Sequence, residues 1–152
     1  MRDAVIVSTA RTPIGKAYRG AFNNTTPQEL AGHAIEHAVA RAGVDPASIQ
    51  DVIMGSALQQ GHSAGNIARQ AAVRGGLPVS VAGMSLDRQC ASGMMAIATA
   101  AKQVVMDGMD VVVGGGVESI SMVQTPEMRV KADAWLMANK PDIYMSMLET
   151  AE

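Results

Sequence analysis

The sequence predicts an α/β domain in which helices cover both faces of a largely parallel sheet. Short apolar, β-branched runs recur along the chain at Ala4–Thr9, Asp51–Gly55, Val79–Leu86 and Asp110–Val113. Segments with apolar residues at helical spacing separate them, and glycines or prolines punctuate the joins. A strand that alternates with a helix needs a crossover to reach its neighbour, which makes successive strands parallel.

Each element has a local reason. Ala4–Thr9 (AVIVST) is a continuous β-branched run, the pattern of a strand buried on both faces. Pro13 and Gly15 mark a loop after it. A helix opens at Thr26, with Pro27 at its first position and Glu29 three residues after the cap. Leu30, Ala31, Ala34, Ile35, Ala38 and Val39 then line one side until Gly43. Asp51–Gly55 is a second strand, and GHSAGNIARQAAVRGG is a loop entering a helix that stops at two glycines. Val79–Leu86 is a third strand, Cys90–Met106 a third helix, and Asp110–Val113 a fourth strand before Gly114, Gly115 and Gly116.

The third helix has almost no polar face before Lys102. A helix apolar all round belongs in an interior, so something beyond these elements is expected to cover it. The final IYMSMLETAE begins as an amphipathic helix and stops without a cap or breaker, which reads as the first part of a longer polypeptide.

Bulk properties narrow the function classes. The 152 residues suit one domain, with 48% hydrophobic and 17% charged residues giving enough apolar material for a core. A net charge of −2 supplies no electrostatic reason to expect nucleic acid or an anionic membrane as a partner. The apolar run before Arg11 is too short for a signal peptide or a membrane span, so a soluble, cytoplasmic protein is expected. One cysteine excludes an internal disulfide and suits a reducing compartment.

That cysteine, Cys90, sits where the third strand gives way to the third helix. A free thiol has a pKa of about 8.5, and a helix N-terminus can lower it to roughly 3.5–7.5. The unpaired amides there favour negative charge, and they can also stabilise an oxyanion. Gly93, one turn on, leaves room for a substrate or a neighbouring backbone. This is the logic of a nucleophile on a strand-to-helix turn. The competing reading is a buried cysteine that merely packs.

Other signals have plainer readings. His33, Glu36 and His37 spell H-x-x-E-H, a zinc-peptidase pattern, but no third ligand can be assigned and both histidines fall at the polar edge of their helix. No metal is expected there. His62 reads as a loop residue. Gly114–Gly116 lacks the third glycine of G-x-G-x-x-G, so tight packing is expected over phosphate binding. Ten of the twelve methionines lie from Met84 onward and read as core filler. Lys102, Arg129, Lys131 and Lys140 read as scattered, solvated surface charges, of which some of the last three could meet the phosphates of a ligand.

The segment SLDRQCASGMMAIATAAKQV resembles the active-site signature of the thiolases. VIVSTARTPIGK, ELAGHAIEHAVARAGVDPASIQDVIMG, NIARQAAVRGGLP and DVVVGGGVESIS match the same family in order, so the resemblance runs from residue 3 to residue 152. It implies a fold of two similar halves whose sheets sandwich a pair of central helices, the third helix here being one of them. By the resemblance of NIARQ, Arg69 and Gln70 would be interface or loop anchors. Residues 1–119 would be the N-terminal α/β domain, and 120–152 the beginning of an inserted loop domain.

The resemblance also implies chemistry. The reaction would be thiolytic cleavage of a 3-ketoacyl-CoA, or the reverse condensation, through an acyl group on Cys90. The Cys90 backbone N–H would contribute to an oxyanion hole, and Met147 would line the acyl pocket. Acyl-CoA and coenzyme A would be substrates, with no separate cofactor and no metal. The complete protein would be a homodimer or homotetramer. Ser146 and Leu148 depart from the residues many members carry, His and Gly. The family's Gly-His-Pro motif, its Asn-Glu-Ala-Phe-like motif and its second cysteine are absent from the 152 residues, which by themselves are expected to be inactive. The alternatives are a ketoacyl-synthase-like condensing enzyme and a non-catalytic half that acts by pairing with a partner chain.

Overall fold

The computed structural model describes residues 2–128 and 131–152. Helix α1 spans Pro27–Ala42, strand β1 Asp51–Gly55, helix α2 Ile67–Arg74, strand β2 Ala82–Leu86, helix α3 Ser92–Met106 and strand β3 Val112–Gly116. Three short helices follow: α4 (Ile120–Val123), α5 (Ala134–Asn139) and α6 (Met147–Ala151).

The ends of α1 form as the sequence predicts. The Thr26 hydroxyl accepts from the Glu29 amide at 3.2 Å, satisfying one of the unpaired donors of the first turn. Gly43 adopts a left-handed φ of 66° and donates its N–H to Val39 O and Ala40 O, a conformation glycine takes without a Cβ clash. Ala31, Ile35 and Val39 are buried, and His33, Glu36 and His37 face solvent.

The sheet is parallel throughout, in the order β2–β1–β3. All five residues of the central strand, β1, are buried. The register sets Ile53 beside Met84 and Gly114, so alternate residues share a face across the sheet. On one face Val52 and Met54 join Ala31, Ile35, Val39, Ala68, Ala71 and Ala72 in a core under α1 and α2. On the other, Ile53 packs with Ala96 and Ala100 of α3, beside Leu86 and Val112.

Glycine makes the α3 side possible. A Cβ on Gly55 would lie 2.1–2.5 Å from the backbone of Ser92 and Gly93, and one on Gly116 would lie 3.0 Å from the Gly93 Cα. At Gly114 it would meet Ala100 Cβ and Ile97 Cα at 3.0 Å. The helix therefore rests on bare backbone at the C-terminal ends of β1 and β3. This confirms tight packing as the use of Gly114–Gly116, and it moves the fourth predicted strand: the glycines lie inside β3 rather than after it.

Four further expectations are corrected. Ala4–Thr9 pairs with no strand among the described residues, and Val5, Ile6 and Val7 are exposed. A β-branched run favours extended backbone, but a strand needs a partner edge. The third strand begins at Ala82 rather than Val79, because Val81 N–H closes a turn onto Pro78 O. The third helix begins at Ser92 rather than Cys90. Its cover is one-sided, in keeping with the expectation that these elements alone do not enclose it: Ser92, Ala96 and Ala100 are buried, whereas Met94 is 76% exposed. For the same reason the methionines are not core filler, and Met54 is the only buried one among the described residues. Among the described residues no helix is long and apolar enough to cross a membrane.

The contact at Gly55 gives a stability test. Gly55→Ala should lower unfolding free energy by roughly 1–3 kcal/mol in urea titrations, the range for overpacking a filled interior. Gly93→Ala should be neutral or stabilising, since its Cβ would meet Gly116 only at 3.8 Å and a helical site favours alanine.

Candidate active site at the strand-to-helix turn

The loops that leave the C-terminal ends of the three parallel strands lie side by side, the place where open α/β sheets present ligand-binding residues. Ser56–Leu58 follow β1, Asp87–Ala91 follow β2, and Val117–Ser119 follow β3. Backbone bonds hold these exits together: Ser56 N–H donates to Leu86 O, and Val117 N–H donates to Gly55 O, both at 3.0 Å. The Glu118 carboxylate crosses between exits, accepting from the Ala57 amide at 2.8 Å and from the Leu58 amide and Ser56 hydroxyl at 3.3 Å.

Cys90 stands on the exit of β2, an edge strand of the sheet. It is exposed, one residue before Ala91, which caps α3. Gln89 just ahead of it has a φ of 48°, in the left-handed region a side-chain-bearing residue seldom occupies. Several bonds hold that conformation. The Asp87 carboxylate accepts from Gln89 N–H at 2.7 Å, and the Ser92 amide donates to Gln89 O at 3.0 Å. The Ser92 hydroxyl accepts from Arg88 N–H at 2.8 Å and donates to Gln89 O at 2.5 Å. Ser92 is buried, and its two hydroxyl bonds span the turn beneath the cysteine.

The arrangement presents a thiol outward from a fixed turn at the start of a 15-residue helix. Ala91 supplies no side-chain cap, and the first helical bond to reach back runs from Met95 N–H to Ala91 O at 2.9 Å. Of the amides before Met95, those of Ala91 and Ser92 donate to Arg88 O and Gln89 O, which leaves Gly93 and Met94 as the unpaired donors of the first turn, whose partial positive charge favours an anion. Such a turn can hold a thiolate and can stabilise charge that develops on a carbonyl oxygen under attack. Among the described residues no neighbour covers Cys90, which is exposed.

The other candidates lie elsewhere. Met147 opens α6 and is 79% exposed, so it lines no enclosed pocket within these residues. Its helix is held by a reciprocal cap, with the Ser146 hydroxyl accepting from Glu149 N–H and the Glu149 carboxylate accepting from Ser146 N–H. The Ser146 backbone N–H first, and the Ser146 side chain second, hold the Glu149 carboxyl below its usual pKa. His62 is exposed on a tight turn, where its carbonyl accepts from Gln28 Nε2 at 2.7 Å. Arg69 is a loop anchor, donating to Val79 O at 2.7 Å and also to Val81 O. Gln70 Nε2 donates to Ala64 O at 2.7 Å and Gly65 O at 2.8 Å. Lys102, Lys131 and Lys140 are exposed, and Arg129 lies outside the described residues. A cleft of about 440 Å³ between the N-terminal loop, α1 and the β3 exit is lined by Arg11, Lys16, Phe22, Leu30 and Glu118, and Cys90 is not on its wall.

Sequence reading missed three parts of this site. Ser92 and Gln89 were visible only as letters beside the cysteine, and Glu118 only as a charge after the glycines. Gly93 lies against the backbones of Gly55 and Gly116, and a Cβ would clash at those two positions rather than at Gly93.

Comparison with known proteins agrees with this geometry. Residues 4–148 match the family model described as thiolase, N-terminal domain. Over 152 residues the chain is 36% identical to a 3-ketoacyl-CoA thiolase of Bacillus subtilis, covering all of this chain and 39% of that protein. It is 42% identical over 121 residues to an acetyl-CoA acetyltransferase of Cupriavidus necator, covering 80% of this chain and 30% of that one. The crystal structure of the Bacillus anthracis acetyl-CoA acetyltransferase superposes with a TM-score of 0.75 at 40% identity, over 88% of this chain and 35% of that one. The chain thus spans well under half the length of these relatives.

Two outcomes follow from the bonding. Ser92→Ala removes the part-buried bonds from Arg88 N–H and to Gln89 O, and should cost about 0.5–1.5 kcal/mol per bond in urea unfolding, the usual net worth of a hydrogen bond. The α6 cap should weaken on acidification. A depressed carboxyl pKa contributes stability that is present above the ordinary carboxylate range and is lost as pH falls through the lowered value. An NMR titration should therefore show the Glu149 side chain and the Ser146 amide changing together, below the pH at which an uncapped glutamate titrates.

Proposed function

Because the chain belongs to the thiolase family through its N-terminal domain, we propose that the complete protein is an acetyl-CoA C-acyltransferase that uses Cys90 as its nucleophile. The observation that carries this is the exposed sulfur on a turn held by Ser92 and Asp87 at the head of α3.

In the cleavage direction, the Cys90 thiolate attacks the keto carbon of a 3-ketoacyl-CoA. The bond between that carbon and the α-carbon breaks, and the departing carbanion takes a proton to become acetyl-CoA. The acyl group remains on sulfur as a thioester. Coenzyme A thiolate then attacks this thioester, and Cys90 leaves as thiolate with the shortened acyl-CoA released. Two modest barriers replace one high one. The amide of Cys90 is assigned to stabilise an oxyanion along this path. Coenzyme A enters as a substrate, and the cycle needs no separate cofactor.

The rest of the reading concerns the whole protein. Residues 1–119 form the N-terminal α/β domain, and 120–152 begin a loop domain in which Met147 lines the acyl pocket. The uncovered side of α3, with Met94 and Ile97 outward, is where the second half of the enzyme packs. The complete protein is a homodimer or homotetramer that acts in the cytoplasm in shortening fatty acyl chains.

Mass spectrometry of the complete protein after mixing with acetyl-CoA tests the assignment. One acetyl group should appear on the Cys90 peptide, and Cys90→Ser should abolish both the adduct and turnover. An active enzyme that shows no adduct would exclude the mechanism. The 152-residue chain alone should show no turnover, because it supplies the nucleophile without the family's Gly-His-Pro histidine or second cysteine.

A further inference from the structure

We propose that His33 and His37 form a surface chelate for a borderline divalent transition-metal ion of the Ni(II), Cu(II) or Zn(II) class. The two residues are four apart on α1, the spacing that stacks side chains one turn above each other on one face. Their rings meet edge to face with centroids 4.3 Å apart. Both are exposed, so an ion reaches them without any opening of the fold.

The platform beneath them is rigid. Helix α1 runs 16 residues, is capped by Thr26 and Gly43, and buries Ala31, Ile35 and Val39 on its opposite side. Holding two imidazoles on such a helix removes most of the ordering cost of bringing them to one ion. Imidazole nitrogen suits these cations and is a poor ligand for calcium or magnesium.

The chelate has two protein ligands. Among the described residues no group of three or more His, Cys, Asp or Glu side chains is placed to hold one ion, so Glu36 does not complete a peptidase centre. Water fills the remaining positions. The site lies on the α1–α2 side of the sheet, and Cys90 leads into α3 on the other side. It is therefore independent of the proposed acyl transfer.

Isothermal titration of the chain with NiCl2 tests the proposal, in a Cys90→Ser background that removes the sole thiol as a competing ligand. One ion should bind per chain and raise the melting temperature, since the chelate exists only when α1 is folded. His37→Ala should weaken binding by about 100-fold, the usual advantage of tethering two weak contacts. The double change His37→Ala and Ala40→His keeps the number of imidazoles but sets them about 10.5 Å apart along the axis. Ala40 is exposed, so that variant folds as the parent does, and it should not recover the lost affinity. Binding of Ni(II) by either variant as tight as that of the parent would overturn the proposal. So would a parent that binds no better than the variant lacking both histidines, which retains His62.

Discussion

The close approach of α3 to the ends of β1 and β3 is the constraint on which the rest of the molecule depends. Three bare backbones meet there, at Gly55, Gly93 and Gly116, with no side chain between them. Moving the helix outward by the width of one methyl group would detach its first turn from the strand exits. That turn carries Cys90, and the bonds that shape it run to Asp87, Arg88 and Gln89 on the β2 exit. Placement of the sulfur is thus a property of the sheet, transmitted through glycine contacts and then fixed by the Ser92 hydroxyl. Glu118 acts on the same arrangement from the other side, tying the β3 exit to the amides that follow β1.

Much of this was legible in the sequence where local chemistry decides the outcome. Thr26, Pro27 and Gly43 bound α1 because caps and a left-handed terminus depend on neighbouring residues alone. Asp51–Gly55 formed a strand because a continuous apolar run suits the centre of a parallel sheet. The thiolase resemblance places the cysteine in its context of strand, turn and helix. Its location one residue ahead of the helix cap, on a left-handed turn, was not legible. That detail depends on which hydroxyl and carboxylate the turn can recruit.

Errors arose where a segment's state depends on what lies beside it. Val5, Ile6 and Val7 carry strong strand preference, yet extended backbone becomes a strand only against a partner edge. The glycines of β3 suggested the end of a strand, because composition alone does not reveal that a helix presses against them. The methionines suggested a core for a similar reason: apolar character says that a side chain would gain from burial, not that a cover is present.

The N-terminal segment shows a second way of holding chain in place. Arg2 donates to Gly108 O at 3.1 Å and pairs with Asp110, and Arg41 Nη1 donates to Thr9 O at 2.8 Å. Two guanidinium groups therefore moor residues that join no ladder. The Arg2–Asp110 pair is exposed at both ends, and mobile counterions weaken such attractions as ionic strength rises. Amide-to-carbonyl bonds inside the sheet carry no net charge and are indifferent to that screening. Brine and fresh buffer thus act on different parts of one molecule, slackening the leading strap while the three-stranded frame stays taut.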